Sequence, residues 1–312
     1  MPAVNSILTP ELVHKQISQG IALGPRDQTR IKVYPELSVN LIDSKEAFRD
    51  VAAYGNLGLP QVRGSLQDPP QATIEQVRLN RYTNLKVTME VIVDQETQED
   101  EQPGLDFIRN IGRDALDSFQ DRMEIDCANK FLNFADSTST QYVGSDGVAI
   151  GSASHPLQSG TYSNILTVAE TPSPTSVNKL KIILARQPAY KANVLMPAGM
   201  EGFKAFGPPD LDMALAQIQG STNDAFTNQN QKNVIGPQMK ARIIVPYCTF
   251  TQRWGIMAAG RTRPKWFLQL RRSPFVWDVM KSKNYSFSTT LVARYVFGDM
   301  DWRGAAFSMG SV

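Results

Sequence analysis

Hydrophobic and polar positions alternate cleanly from Asn84 to Val93: Leu85, Val87, Met89, Val91 and Val93 share one face, and Asn84, Lys86, Thr88 and Glu90 the other. Period two over ten residues predicts a long half-buried strand. The period then changes. Ile108, Ile111, Ala115, Phe119, Met123, Cys127 and Phe131 recur every three or four residues through to about Ala135, behind the openers Pro103 and Gly104. This predicts one helix, a rod of roughly 48 Å at 1.5 Å per residue. Gly112 is a candidate bend, and Arg113/Asp117 and Arg122/Asp126 stand at the i,i+4 spacing that supports an exposed helix face. Near the end of the chain, Tyr285, Phe287, Leu291, Ala293, Tyr295 and Phe297 again share one face up to Gly298. The two strands are of similar length, so we expect them in one sheet, with the region from about 145 to 280 inserted between them. The fold class is α+β.

The remaining chain is less regular. Residues 1–45, with Pro and Gly scattered through them, read as an extended arm with one short helix near Glu11–Ser18; such an arm needs another surface to lie on. Gly55–Pro70 is a long turn-rich excursion. Asp136–Gly151 reads as a loop. Ser176–Arg186 reads as a helix capped by Ser176 and stopped by Pro188, followed by a short strand at Val194–Met196. Asp210 is a candidate cap for a helix carrying Leu211, Ala214, Leu215 and Ile218 on one face, with Gly220 past its end. Asn223–Gln238 reads as a surface loop, and Ala241–Tyr247 and Ile256–Ala259 as buried strands.

Composition narrows the function more by exclusion than by assignment. The chain has 312 residues, 42% hydrophobic and 20% charged, with 32 Lys+Arg against 30 Asp+Glu. This is an ordinary globular mix with no membrane-spanning apolar run, no signal peptide and no basic stripe for reading nucleic acid. Charge is nevertheless uneven. Asp94–Asp126 holds eleven acids and three Arg, a net −8, whereas Ala225–Trp277 has no acid and nine basic residues. Either these are two solvated faces of one domain, or they are complementary surfaces on neighbouring copies or a basic face turned to a polyanion.

Candidate chemistry is sparse. Phosphate-binding loops, dinucleotide fingerprints, HExxH, GxSxG and paired CxxC are all missing. Two cysteines, Cys127 and Cys248, fit free thiols in a reducing cytoplasm. They lack ligand spacing with His14 and His155 for zinc. A Cys127–His155 nucleophile pair, as in a cytoplasmic hydrolase, competes with an inert thiol on the apolar helix stripe. His155 reads as a loop imidazole bonded to nearby backbone, and Asp299 and Asp301 as flanks of a turn. No catalytic, cofactor or metal residue is assigned.

The order of elements resembles the major capsid proteins of tailed double-stranded-DNA bacteriophages, with the Hong-Kong-97-like fold: an arm, an excursion returning on a long strand, an acidic lead-in, a very long helix, a small α/β region and a closing strand. Ser154-His155-Pro156-Leu157 with Gly160 and Asn164 is similar to the "HPL…G…N" segment of many head proteins. So are Pro197-Ala-Gly-Met200 before the Asp210 helix, the Asn/Gln stretch before Ala241–Pro246, and the closing Gly298-Asp-Met-Asp301-Trp302. The resemblance implies an N-terminal arm at 1–45, an extended loop and its returning strand at 46–93, and a peripheral domain with its spine helix at 94–144. An axial domain follows at 145–280, and a strand closing the peripheral domain at 281–312.

It further implies a virion shell of hexamers and pentamers assembled in a host bacterial cytoplasm. The implied partners are other copies of the chain, a scaffolding protein, a portal, a decoration protein and non-specifically held double-stranded DNA, with no cofactor and no membrane. The candidate subunit-interface residues are Arg63 and Arg78 in the loop, Glu99, Asp100 and Glu101 in the acidic run, and Arg261, Arg263, Arg271 and Arg272 in the basic stretch. An encapsulin-like nanocompartment with protein cargo is the alternative within the same fold. Some relatives crosslink a loop Lys to a neighbour's Asn, but Val51–Asn80 contains no Lys. Others carry a cleaved N-terminal scaffold domain, whereas this sequence opens at the arm. Denatured assemblies are therefore expected to give the intact single-chain mass, and a covalent ladder or a truncated N-terminus in the mass spectrum contradicts this.

Overall fold

The computed structural model describes residues 9–25, 33–37, 39–54, 76–94, 104–136, 143–191, 194–221, 223, 232–281 and 286–310. The excursion at 55–70 and the acidic run at 95–103 lie outside the described residues. The predicted strand and helix are β4 (Leu85–Asp94) and α3 (Gly104–Leu132). At 29 residues, α3 is about 43 Å long.

The alternating strand pairs as expected. β4 lies antiparallel to β11 (Ser286–Asp299), with Asp94 opposite Ser286 and Leu85 opposite Tyr295. β11 pairs in turn with β10 (Trp266–Lys281), and β10 runs parallel to β1 (Asn40–Asp43), giving the order β1-β10-β11-β4. The sequence reading put Trp266–Lys281 in the inserted region, whereas it is a central strand of this sheet. Its alternation is broken at three register shifts, one of which spans Pro274, a residue that cannot donate to a ladder. Val87, Met89, Val91, Phe287, Leu291, Ala293, Tyr295 and Phe297 turn to one core, against Ile108, Ala115, Phe119, Cys127 and Phe131 of α3.

The start of the chain corrects the expected arm. α1 (Pro10–Leu23) is longer than the helix expected at Glu11–Ser18; Thr9 caps it, and Val13 and Ile17 are buried in the same core. α1 crosses α3 where two glycines remove the side chains between the backbones. A Cβ on Gly20 would overlap the carbonyl oxygen of Arg109, and one on Gly112 would overlap that of Ile17. Gly112 thus serves close approach. Arg113 does not pair with Asp117 on an exposed face; it donates to the Gly24 and Pro25 carbonyls at the end of α1 (3.4 and 3.2 Å), and Asp117 is buried. Arg122 and Asp126 do pair, at 3.0 Å. α2 (Val33–Glu36) adds Val33 to the core, its amide donating to the Glu124 carboxylate at 3.0 Å.

A second sheet has the order β12-β9-β7-β8, from β7 (Phe203–Gly207), β8 (Met239–Ile244), β9 (Trp254–Ala258) and β12 (Ala305–Ser308). Its strands β7, β9 and β12 are buried on both faces, while the edge strand β8 exposes Lys240 and Arg242. Phe206, Ile243, Met257 and Phe307 join the first core, and Phe203, Trp254, Ile256 and Ala306 join a second one with α4 (Pro174–Ala185) and α5 (Asp212–Gly220). Two-sided burial explains why these strands read as apolar runs without alternation.

Three local expectations change. Ser173, not Ser176, caps α4, and Ser176 bonds back to the Ser173 amide to close a capping box. Asp210 lies in a short 3-10 turn ahead of α5 rather than capping it, and Asp212 pairs with Arg242 at 2.9 Å. Leu195 and Met196 are exposed, and Leu195 makes only an isolated bridge to Pro188.

Because the Gly20–Gly112 crossing has no room for a methyl group, Gly112→Ala is expected to cost about 3 kcal/mol through forced separation of the helices. Gly220→Ala, where nothing lies within 4 Å, is expected to change stability by less than about 1 kcal/mol. Chemical denaturation of the two variants checks the contrast.

Candidate assembly interface

A separate two-stranded hairpin packs against the first sheet. β2 (Phe48–Tyr54) pairs antiparallel with β3 (Gln76–Thr83), and Asp50 accepts a two-pronged pair from Arg81, at 2.7 and 2.8 Å. Asn84 separates β3 from β4 and donates to the Glu46 and Ala47 carbonyls, at 2.8 and 3.0 Å. The root of the hairpin lies on the outer face of the first sheet, where Val51 and Tyr82 pack on Phe267 and Val296. Gly298 leaves space there for Tyr82 and Phe267.

The root is fixed by a buried polar cluster. Asp299, fully buried, accepts from the Tyr82 hydroxyl (2.9 Å) and the Ser145 amide (3.0 Å). Lys130, on the last turns of α3, donates to the Val143 carbonyl at 3.1 Å, lies 5.3 Å over the Tyr82 ring and supplies the counter-charge to Asp299. Burial pushes the Lys130 ammonium down to about 8 and holds the Asp299 carboxyl above the usual carboxylate range, although Lys130 and the Ser145 amide pull it back. Asn80 adds a bond to the Gly144 carbonyl (2.8 Å), and Arg78 lies over Gly147. One cluster thereby joins the end of α3, the end of β11, the 143–149 turn and the hairpin.

His155 corrects the expected backbone-bonded imidazole. It is completely buried, its Nδ1 lies 2.5 Å from the Asp146 carboxylate, and its ring stacks on Trp302 at 4.0 Å. The segment around it has matching roles. β5 (His155–Pro156) and β6 (Thr161–Tyr162) form a hairpin that turns at Gly160, with φ +85°, and the buried Asn164 side chain bonds the Ser152 amide and the Ile150 carbonyl, both at 2.8 Å. Cys127 is buried among core side chains beneath Tyr34; burial, with Glu124 and Asp126 nearby, pushes its thiol well above the ordinary value. A thiol held protonated is no nucleophile. Both cysteines are free.

The interface candidates separate into groups. Arg63, Glu99, Asp100 and Glu101 lie outside the described residues. Arg78 is exposed at the hairpin root. Arg263 donates to Asn40 (3.4 Å) and Arg271 to the Lys45 carbonyl (3.1 Å), so both brace the segment leading into β2. The Arg261 amide donates to Glu201, and Arg272 lies over Phe275. Arg263 and Arg271 thus both bond the 40–45 segment, and Arg78 lies over Gly147.

Sequence reasoning missed Arg49 and Lys265. With Arg78, Asp50, Asp146 and Trp302 they line a cleft of about 810 Å³ between the hairpin root and the loops beside β5 and β12. It missed Lys130 as well, whose signal was a cation beside Phe131 on the apolar stripe. Large apolar side chains are exposed elsewhere. Ile92, Ser288 and Met280 stand in register across three strands on the face away from the core, with Trp277 nearby.

No protein-family model and no curated protein matches this sequence. Solved structures do match it. The capsid of an empty GTA particle computed with C5 symmetry is 9% identical, over 92% of this chain and 93% of that one, with a TM-score of 0.57. A structure of Mycobacterium phage Cain is 10% identical over 91% of each chain, with a TM-score of 0.55. The holo-SrpI encapsulin complex from Synechococcus elongatus PCC 7942 is 11% identical over 92% and 90%, with a TM-score of 0.50.

Lys130 and Asp299 generate a stability prediction. Lys130, depressed when folded, contributes stability that is present above the ordinary lysine value and lost as pH falls through about 8. Asp299, raised when folded, contributes stability present at acid pH and lost as pH rises through its folded value. Removing one partner strands the other charge, so Lys130→Met or Asp299→Asn at pH 7 is expected to cost about 3–5 kcal/mol, and the double variant less than the sum. In urea titrations at pH 7 and pH 10, the native chain should gain stability relative to Lys130→Met at the higher pH. With a hairpin rooted on its first sheet, a long helix packed on that sheet and a second sheet beside it, this chain has the Hong-Kong-97-like fold of phage capsid proteins.

Proposed function

We propose that the chain is a structural shell protein, the major capsid protein that forms the head of a tailed phage. The observation that supports this most is the correspondence of fold with capsid and encapsulin chains over at least 90% of each chain. A long turn-rich excursion carried on a two-stranded stem needs another surface to lie on, and a neighbouring subunit can supply it. Repeated in a closed symmetric array, contacts that are individually weak hold a shell together.

In this reading the extended loop carried between β2 and β3 lies over an adjacent subunit and β4 is its returning strand, α3 is the spine of the peripheral domain, and the second sheet with α4 and α5 meets its copies around the capsomer axis. Hexamers and pentamers close an icosahedral virion shell around double-stranded DNA, assembled in the bacterial cytoplasm with a scaffolding protein and a portal, and with room for a decoration protein. Arg261, Arg263, Arg271 and Arg272 remain interface candidates, as do Arg63 and Glu99–Glu101. Near-neutral charge suits the interior, since a strongly basic lining would bind packaged DNA tightly. The encapsulin match favours a second reading, a nanocompartment enclosing protein.

Light scattering and negative-stain microscopy across concentration and salt are expected to reveal rings, tubes or closed shells; a chain that stays monomeric or dimeric under every condition, scaffold included, removes the proposal. Nuclease-protected DNA or co-purified protein inside the shells separates the two readings.

A further inference from the structure

The cleft at the hairpin root carries surplus positive charge. Its carboxylates are already engaged: Asp50 with Arg81, Asp146 with His155 and Asp301 with Arg303. Arg49, Arg78 and Lys265 also line it, and none of the three pairs with a carboxylate among the described residues; Arg49 lies over the Phe267 ring, at 5.4 Å. Three cations grouped around a concave site of about 810 Å³ favour an anionic occupant that can thread into it. A DNA duplex is too stiff and wide to enter such a cleft. A single extended acidic peptide fits.

The chain contains one. From Asp94 to Glu101 the sequence has Asp94, Glu96, Glu99, Asp100 and Glu101 with no basic residue among them. Its attachment points lie far from the cleft of its own subunit. Asp94 pairs with Ser286, at the opposite end of β11 from Asp299, and β11 has 14 residues, so the two ends are about 43 Å apart. Gly104 likewise opens α3 about 39 Å from Lys130, which sits at the hairpin root. A segment held at 94 and 104 can bow out by at most about 17 Å even when fully extended. It cannot reach its own cleft.

We propose that the Arg49–Arg78–Lys265 cleft receives the acidic segment 94–101 of a second copy of the chain. The contact is head-to-tail: each subunit offers the segment at one end of its long sheet and the cleft at the other, about 40 Å away. Such a heterologous contact propagates from copy to copy and closes when the rotation between neighbours permits. The inference rests on the shell reading and specifies one contact of that assembly.

The test uses the full-length protein, grown in light and heavy nitrogen and mixed before assembly. A carbodiimide joins a lysine amine to a carboxylate as an amide, with the water taken up by the reagent as its urea. Crosslinks from Lys265 to Glu99, Asp100 or Glu101 are expected between light and heavy chains. Charge reversal in the cleft (Arg78→Glu with Lys265→Glu) and in the segment (Glu99→Lys, Asp100→Lys and Glu101→Lys) should each lower the assembled fraction about tenfold or more, because like charges then face each other. Mixing the two variants should restore assembly, since each segment again meets an oppositely charged cleft on the other variant. That rescue also demonstrates that both chains are folded.

Crosslinks found only within one chain, reversals that assemble as the native chain does, or a mixture that fails to recover would each overturn the proposal. So would protection of Lys265 from acetylation by short duplex DNA but not by the 94–104 peptide. A native chain that assembles without the light–heavy crosslink refutes this contact alone. A native chain that never assembles refutes the shell reading and this contact with it.

Discussion

The structure depends on a charge that has been taken out of water. Asp299 ends the longest antiparallel pairing, and its carboxylate is satisfied by the Tyr82 hydroxyl and the Ser145 amide, with Lys130 of the spine helix as counter-charge. A buried carboxylate cannot drift, because each displaced hydrogen bond leaves an uncompensated charge in a medium of low polarisability. The donors come from three different parts of the chain, so one carboxylate positions the hairpin against the sheet, the sheet against the helix and the turn against both. Apolar contact alone would hold these parts together without selecting their mutual angle. Here packing supplies the cohesion and the buried cluster supplies the geometry.

Around that cluster, aromatic packing welds the two sheets to the helix end. Phe131 stacks on Trp266 of the first sheet at 4.2 Å, and Phe134 on Phe307 of the second at 4.3 Å. Phe206 meets both Trp266 and Phe307 edge to face. Since the second sheet gives alternate residues to two cores, it is a shared wall and not the floor of a separate module. The cleft forms where this wall, the hairpin root and the His155–Trp302 stack leave a concave edge.

Much of this was legible wherever burial was one-sided. β4 and α3 each keep one face turned to solvent, and β11 alternates between buried and half-buried positions over its first residues, so their periods of two and of three to four survive in the sequence, as does the pairing of the two strands. Legibility failed where other forces overrode period. β10 is interrupted by bulges and Pro274, and its identity comes from its partners on both sides. α1 extends to Leu23 because Gly20 docks on Gly112, a contact encoded by two absent side chains far apart in sequence. The site was harder still. Lys130, Asp299 and Tyr82 are separated by up to 217 positions, and only the closing Gly298–Trp302 motif, met through its resemblance to head proteins, hinted at their meeting. The candidates among the basic residues were chosen for charge density, which does not distinguish Arg263 and Arg271, occupied in bracing β1, from Arg49 and Lys265 at the cleft.

The joint at Asn84 has a mechanical consequence. Tyr82 lies beside Gly298 and Leu85 opposite Tyr295, so β3 and β4 run in the same direction through that residue. Tension applied to the hairpin from outside therefore enters β4 along its own axis. Hydrogen bonds in an antiparallel ladder lie across the strands, so the whole ladder with β11 resists at once, in shear. The other leg behaves differently. β1 reverses direction before β2, and a pull there would peel β1 from β10 one bond at a time. The reversal is where Ser44 bonds Leu270, Gln269 bonds Glu46 and Arg271 bonds Lys45. The fold thus places its sliding-resistant ladder on one leg of the hairpin and its rivets on the other.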